Sequence, residues 1–198
     1  MQETRNDLLA DIGLPEGFYT SLSAFVAGGH KYIRDLRINL KNTLESAHFS
    51  RKQALFIALA VAVNEKSARL VGAFEQMARR EGATDAEVAE VHACASLLAT
   101  LNVFYRFKHS VDNKHYETLP AGIKMTIMAR PVLGKMFFEL VSLVVSAVNG
   151  CQTCVNNHEQ AVRHEGGPQE LIFDAIRLGS VVKGLCVALQ DGAPLGQT

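Results

Sequence analysis

The chain repeats itself. Leu59-Ala-Val-Ala-Val-Asn64 matches Val144-Val-Ser-Ala-Val-Asn149, 85 positions on. Glu75-Gln76 and Arg79-Arg80-Glu81-Gly82 match Glu159-Gln160 and Arg163-His164-Glu165-Gly166, 84 positions on, and a one-residue difference in the turn between helices accounts for the slip. Each copy runs apolar helix, Asn turn, amphipathic helix, Gly break, third helix. Neither copy buries its apolar face alone, so the two are expected to pack on each other within one domain. That domain spans 1–198, with an N-terminal repeat at about 50–108 and a C-terminal repeat at about 132–190. The copies differ in chemistry. Lys66 and either Arg69 or Leu70 stand where the second copy has Cys151 and Cys154, and Ala54 stands opposite Glu139.

The spacing of apolar residues predicts helices nearly throughout. Leu22, Phe25 and Val26, then Ile33, Leu36, Leu40 and Leu44, recur at threes and fours. Ser50-x-x-Gln53 is a capping box that opens an apolar helix over 54–63, and Thr84-x-x-Glu87 opens a helix running toward Arg106. The one Asn-Gly, at 149–150, separates two helical periods instead of alternating strands. The expected fold class is all-α.

Lys plus Arg equals Asp plus Glu, 20 each, so no electrostatic case exists for a nucleic-acid partner or an anionic membrane surface. The longest apolar run falls short of the roughly 18 residues of a membrane span. No basic-then-apolar leader is visible at the N-terminus. Four cysteines in 198 residues are too few for a disulfide framework, and a cytoplasmic location is expected. No cofactor or metal is implied, and without Gly-x-Gly-x-x-Gly or a P-loop there is no nucleotide site.

The chemistry gathers at Cys151-Gln-Thr-Cys154-Val-Asn-Asn-His158. Residues three and four apart meet on a helix surface. With Asn149-Gly150 as a break, Cys151 falls in the first turn of a new helix, where free N–H groups and the dipole favour a thiolate. On the preceding apolar helix, Glu139 is costly to bury unless partnered; the alternative for it is a carboxylate at the helix N-terminal dipole. If the two helices pack antiparallel, Glu139 lies roughly 15 Å and His158 roughly 12 Å from the turn, so the side chains meet. Glu139 then orients or deprotonates His158, and His158 draws the proton from Cys154. A zinc site made of Cys151, Cys154 and His158, with Glu139 or His164 as fourth ligand, competes for the same residues, but three ligands from one helical stretch crowd a tetrahedron. Covalent haem attachment needs a His where Val155 stands.

The pattern Glu-x11-Cys-x-x-Cys-x3-His, with the Asn-Gly before it, Glu165-Gly166 after it and Asn102-Val-Phe-Tyr-Arg106 in the first half, resembles the alkyl hydroperoxidase D (AhpD) family of the carboxymuconolactone-decarboxylase-like group. The similarity runs from about Arg34 to Leu189. It implies an all-α fold with an internal repeat, assembly into trimers, and a disulfide-cycling peroxidase acting on hydrogen peroxide and alkyl hydroperoxides. It also implies a dithiol that passes electrons from a lipoyl-type donor to a peroxiredoxin partner, with decarboxylase chemistry confined to relatives that usually lack the dithiol. One position departs: better-known members carry a His directly before the second Cys, and this chain has Thr153. A hydroxyl supplies no titratable imidazole proton, so weaker peroxidase turnover or a different partner is implied. The helix-terminal position favours Cys151 as the exposed thiol and the His158–Glu139 relay favours Cys154 as the attacking one; Cys154 is preferred, with Cys151 condensing on its sulfenic acid.

Cys94 and Cys186 lie within helical periods as core residues. His109 and His115 flank a polar connector, within reach of a neighbouring subunit in a trimer, and His30, His48 and His92 carry no pattern. Arg34, Arg37 and Lys41 form a solvated stripe. Phe18, Phe25, Phe49, Phe56 and Phe104 suit a core or a subunit interface, and Tyr105-Arg106 has no assigned chemistry.

Overall fold

The computed structural model describes residues 1–190, and positions 191–198 of the expected domain lie outside them. Three helices come first: α1 (Gln2–Asp11), α2 (Thr20–Ala27) and α3 (Tyr32–Leu44). The first repeat follows as α4 (Arg51–Asn64), α5 (Ala68–Arg80) and α6 (Asp85–Ser110). A connector carries the short α7 (His115–Thr118) and a 3-10 turn at Thr126–Met128. The second repeat is α8 (Lys135–Val148), α9 (Gln152–His164) and α10 (Gln169–Ala188). Among the described residues there is no strand. The fold is all-α.

Both capping boxes form. The Ser50 hydroxyl accepts the Gln53 N–H at 3.2 Å while Gln53 Oε1 accepts the Ser50 N–H at 2.9 Å, which adds a first turn, 51–53, to the helix expected from 54. Thr84 and Glu87 do the same for α6. α4 and α8 are buried on almost every face, as helices without a polar side must be. They pack on each other, and α6 and α10 pack on both, so one core draws on the two repeats.

The register of the repeat differs from the sequence match. Each pair of helices begins at a constant offset of 84, and α4 and α8 have the same length, as do α5 and α9. No slip occurs in the turn. Instead Lys66 adopts the left-handed φ of 58° that Gly150 adopts at 69°. The residue facing Cys151 across the repeat is therefore Ser67, not Lys66. Leu70, not Arg69, faces Cys154, and Leu55, not Ala54, faces Glu139. Leu55, Leu70 and Phe74, the counterpart of His158, are all buried, so the first copy fills with apolar side chains the place that holds chemistry in the second. Asn64 and Asn149, which produced the apparent match at 85, exchange side-chain hydrogen bonds at 2.9 and 3.0 Å where the ends of α4 and α8 meet.

α6 is long and apolar enough, by length and composition, to cross a membrane, although polar residues interrupt every apolar run in it. In the fold Val91, Cys94, Ala95 and Leu98 enter the core, which accounts for that composition.

Other polar residues have partners the sequence did not announce. Arg37 leaves the expected stripe to pair with Asp7 and Asp11, tying α3 to α1. His48 bonds Asp174 on α10 at 2.9 Å, and His92 lies 3.6 Å from Glu75. Of the phenylalanines, Phe56 and Phe49 are buried, whereas Phe18 is 58% exposed.

Glu90 fixes the entry to α8. Its two carboxylate oxygens accept the Val132 and Leu133 N–H groups at 2.7 and 2.6 Å, holding the turn that ends at Gly134, whose φ is 80°. Glu90→Ala leaves both donors without an acceptor, and a loss of about 2 kcal/mol is expected. It is read as a lower urea midpoint at unchanged slope; an unaltered midpoint would show that the turn does not depend on this carboxylate.

Candidate active site

The site is built across one tight turn. Asn149 caps α8, Gly150 takes the left-handed conformation that a Cβ would strain, and the Cys151 N–H returns to the Ser146 carbonyl at 3.0 Å. Cys151 is the N-cap of α9 itself, one residue before the first turn where it was expected. α9 then runs back along α8, as the sequence argument required.

That packing brings Glu139 and His158 together. His158 Nδ1 lies 2.6 Å from Glu139 Oε2, with both side chains nearly out of solvent. Glu139 sits in the second turn of α8, past the reach of the helix N-terminal dipole, so the dipole account of this residue does not apply. Lys135 Nζ donates to Glu139 Oε1 at 2.7 Å from one turn earlier. Burial pushes the Glu139 carboxyl up, but the hydrogen bonds from His158 and Lys135 outweigh it and hold the group below its ordinary range. It is a buried anion with a partner on each oxygen.

Cys151 and Cys154 are joined as a disulfide, their Cα atoms 5.3 Å apart. Cys154, on the first turn of α9, faces a cavity of about 250 Å³ whose base also holds Glu139, Asn157 and His158. Leu98, Leu101 and Tyr105 of α6, with Met125 and Met128 of the connector, form its walls. Cys151 does not line it, so the helix-terminal thiol is not the one the cavity reaches. Cys94 and Cys186 are buried as expected, and burial pushes each thiol up to about 12, which keeps them protonated. His109, in the last turn of α6, and His115, on the connector, are both exposed. His164, offered as a fourth zinc ligand, stands on the solvent face of α9 beside Glu165. Among the described residues no three or more His, Cys, Asp or Glu side chains are grouped to hold a metal ion.

Residues 116–191 match the Carboxymuconolactone decarboxylase family. The chain is 38% identical over 157 residues to the alkyl hydroperoxide reductase AhpD of Anaeromyxobacter dehalogenans, covering 79% of this chain and 84% of that one. The chain belongs to the AhpD family. The AhpD of a Bradyrhizobium species is 35% identical over 80% of this chain and 87% of its own. That of Streptomyces griseus is 34% identical over 84% and 93%.

Lys135 and the cavity walls were missed by sequence reasoning. Lys135 had a signal, since it lies four residues before Glu139 on the same helix. Tyr105 carries no signal beyond its place in the AhpD-like stretch, and nothing local to it, or to Met125 and Met128, announces that α6 and the connector fold over α9.

Proposed function

We propose that this chain is a thiol oxidoreductase that reduces hydroperoxides through a Cys151–Cys154 dithiol/disulfide cycle, with His158 and Glu139 as its proton relay. The observation that supports it is the single cavity where Cys154, His158 and Glu139 meet, with Cys151 in bonding distance behind. Glu139 Oε2 takes the Nδ1–H of His158, a tautomer assigned from its partner, and this leaves Nε2 to receive the Cys154 proton. The thiolate attacks the outer peroxide oxygen. The O–O bond breaks, Cys154 becomes a sulfenic acid, and His158 returns the proton to the departing alkoxide. The Cys151 sulfur then displaces water from the sulfenic acid to form the disulfide. One hydroperoxide and two thiols give one alcohol, one water and one disulfide.

The names of the relatives point to the same substrate class. An external dithiol, of lipoyl type by the family resemblance, restores the pair. Homotrimeric assembly and a cytoplasmic location belong to the same proposal, resting on that resemblance and on a dithiol suited to a reducing compartment. A second reading draws on Thr153: without the inter-cysteine imidazole, the dithiol serves chiefly to carry electrons from the lipoyl-type donor to a peroxiredoxin.

The test is a thiol count on pre-reduced protein before and after one equivalent of tert-butyl hydroperoxide. Rapid loss of two thiols, with Cys94 and Cys186 still free, is expected. Thiols that survive peroxide yet oxidise readily with a protein disulfide would replace the peroxidase with the electron carrier.

A further inference from the structure

Lys135 stands where helix physics alone would not put it. It is the first residue of α8, at the positive end of the dipole, and it precedes Glu139 by four, the less favourable order for a helical ion pair. What offsets both penalties is the buried carboxylate. Its ammonium donates to Glu139 Oε1 at 2.7 Å and to the Met128 carbonyl at 3.1 Å, joining the relay to the connector turn that walls the cavity. Glu139 Oε2 is left to His158 alone.

We propose that Lys135 is a positioning residue that supplies the positive charge against which the Cys154–His158 pair ionises. The inference rests on the relay proposed above. With Lys135 and Glu139 charged and His158 neutral, the buried site carries no net charge, and it carries none after the Cys154 proton has moved to His158. Remove the cation and the site is negative in both states, so every acid in it releases its proton at higher pH. Among the described residues, the ionisable groups that α6 brings to this site include Tyr105 in the cavity wall, Cys94, a neutral thiol, and Glu90, held by two backbone N–H groups. α4 and α10 contribute no residue to the cavity lining. Among the described residues no Lys or Arg lines the cavity, and Lys135 is the cation bonded to the relay carboxylate, its 41% exposed side chain reaching it from the surface.

The test is the rate of iodoacetamide alkylation of Cys154, followed by mass spectrometry across pH 5–9 in the pre-reduced full-length protein. In Lys135→Met the midpoint of the profile moves up by about one pH unit, close to a tenfold loss of rate below both midpoints. Lys135→Arg, which keeps the charge, restores the wild-type midpoint. A purely structural role would lower thermal stability and leave the midpoint in place, and that result in Lys135→Met would overturn the proposal. Lys135→Gln is carried alongside; if both neutral variants fail to fold while Lys135→Arg folds, Lys135 belongs to the fold and the proposal is equally overturned. Because alkylation needs no peroxide, a moved midpoint in a protein that consumes no hydroperoxide would sink the peroxidase and leave the role of Lys135 standing.

Discussion

Cys154→Ser is expected to lower hydroperoxide consumption by about three orders of magnitude or more, since it removes the nucleophile and not a helper. Cys151→Ser should behave differently. Its Cys154 still faces the cavity, so the variant consumes one equivalent of peroxide and stops, leaving a sulfenic acid that dimedone traps on Cys154. The asymmetry follows from which sulfur the cavity reaches, because both side chains are almost fully buried and surface exposure does not distinguish them. Stoichiometric peroxide loss and the mass of the dimedone adduct are the two readings. A single turnover in Cys154→Ser but not in Cys151→Ser would exchange the roles of the two thiols.

The second large effect belongs to the relay. His158→Ala is expected to cost about 10²–10⁴-fold in turnover at neutral pH, the range for loss of a positioned general base. Glu139→Gln keeps an oxygen for His158 Nδ1 but removes the charge and leaves Lys135 without its carboxylate, and about 10²-fold is expected. The same carboxylate should mark the acid limb of stability. Burial raises its pKa and the bonds to His158 and Lys135 lower it further than that, so the folded value lies below its ordinary 4.5. A group depressed in this way stabilises the fold at pH above the unfolded value, and the contribution fades as pH falls from there through the folded value. Urea midpoints taken from pH 7 to pH 3 should therefore fall in the wild type over that window and run flatter in Glu139→Gln. Parallel curves would show that Glu139 titrates no differently in the folded and unfolded chains.

Much of the site was legible before any tertiary contact was known. Glu139 and His158 flank a two-residue break, and once two helices are antiparallel about a tight turn, rise per residue fixes which side chains come level. Their pairing, at 2.6 Å, follows from that spacing once the antiparallel turn is given. The repeat was legible too, but its register was not. Asn64 and Asn149 invited an alignment at 85, whereas the backbone aligns Lys66 with Gly150, and a non-glycine residue at positive φ leaves no trace in sequence.

What the sequence determined is what residues within about four positions of one another decide: the helical periods, the two capping boxes, the left-handed break at Gly150, and the Cys154–His158 face of α9. What only the tertiary structure decided is which of those groups meets the outside. α6, which ends at Ser110, well before α8 begins at Lys135, sets Leu98, Leu101 and Tyr105 over Cys154, and the connector adds Met125 and Met128. Those contacts rest on apolar burial, which is non-directional and carries no local code, so no spacing along the chain could place them.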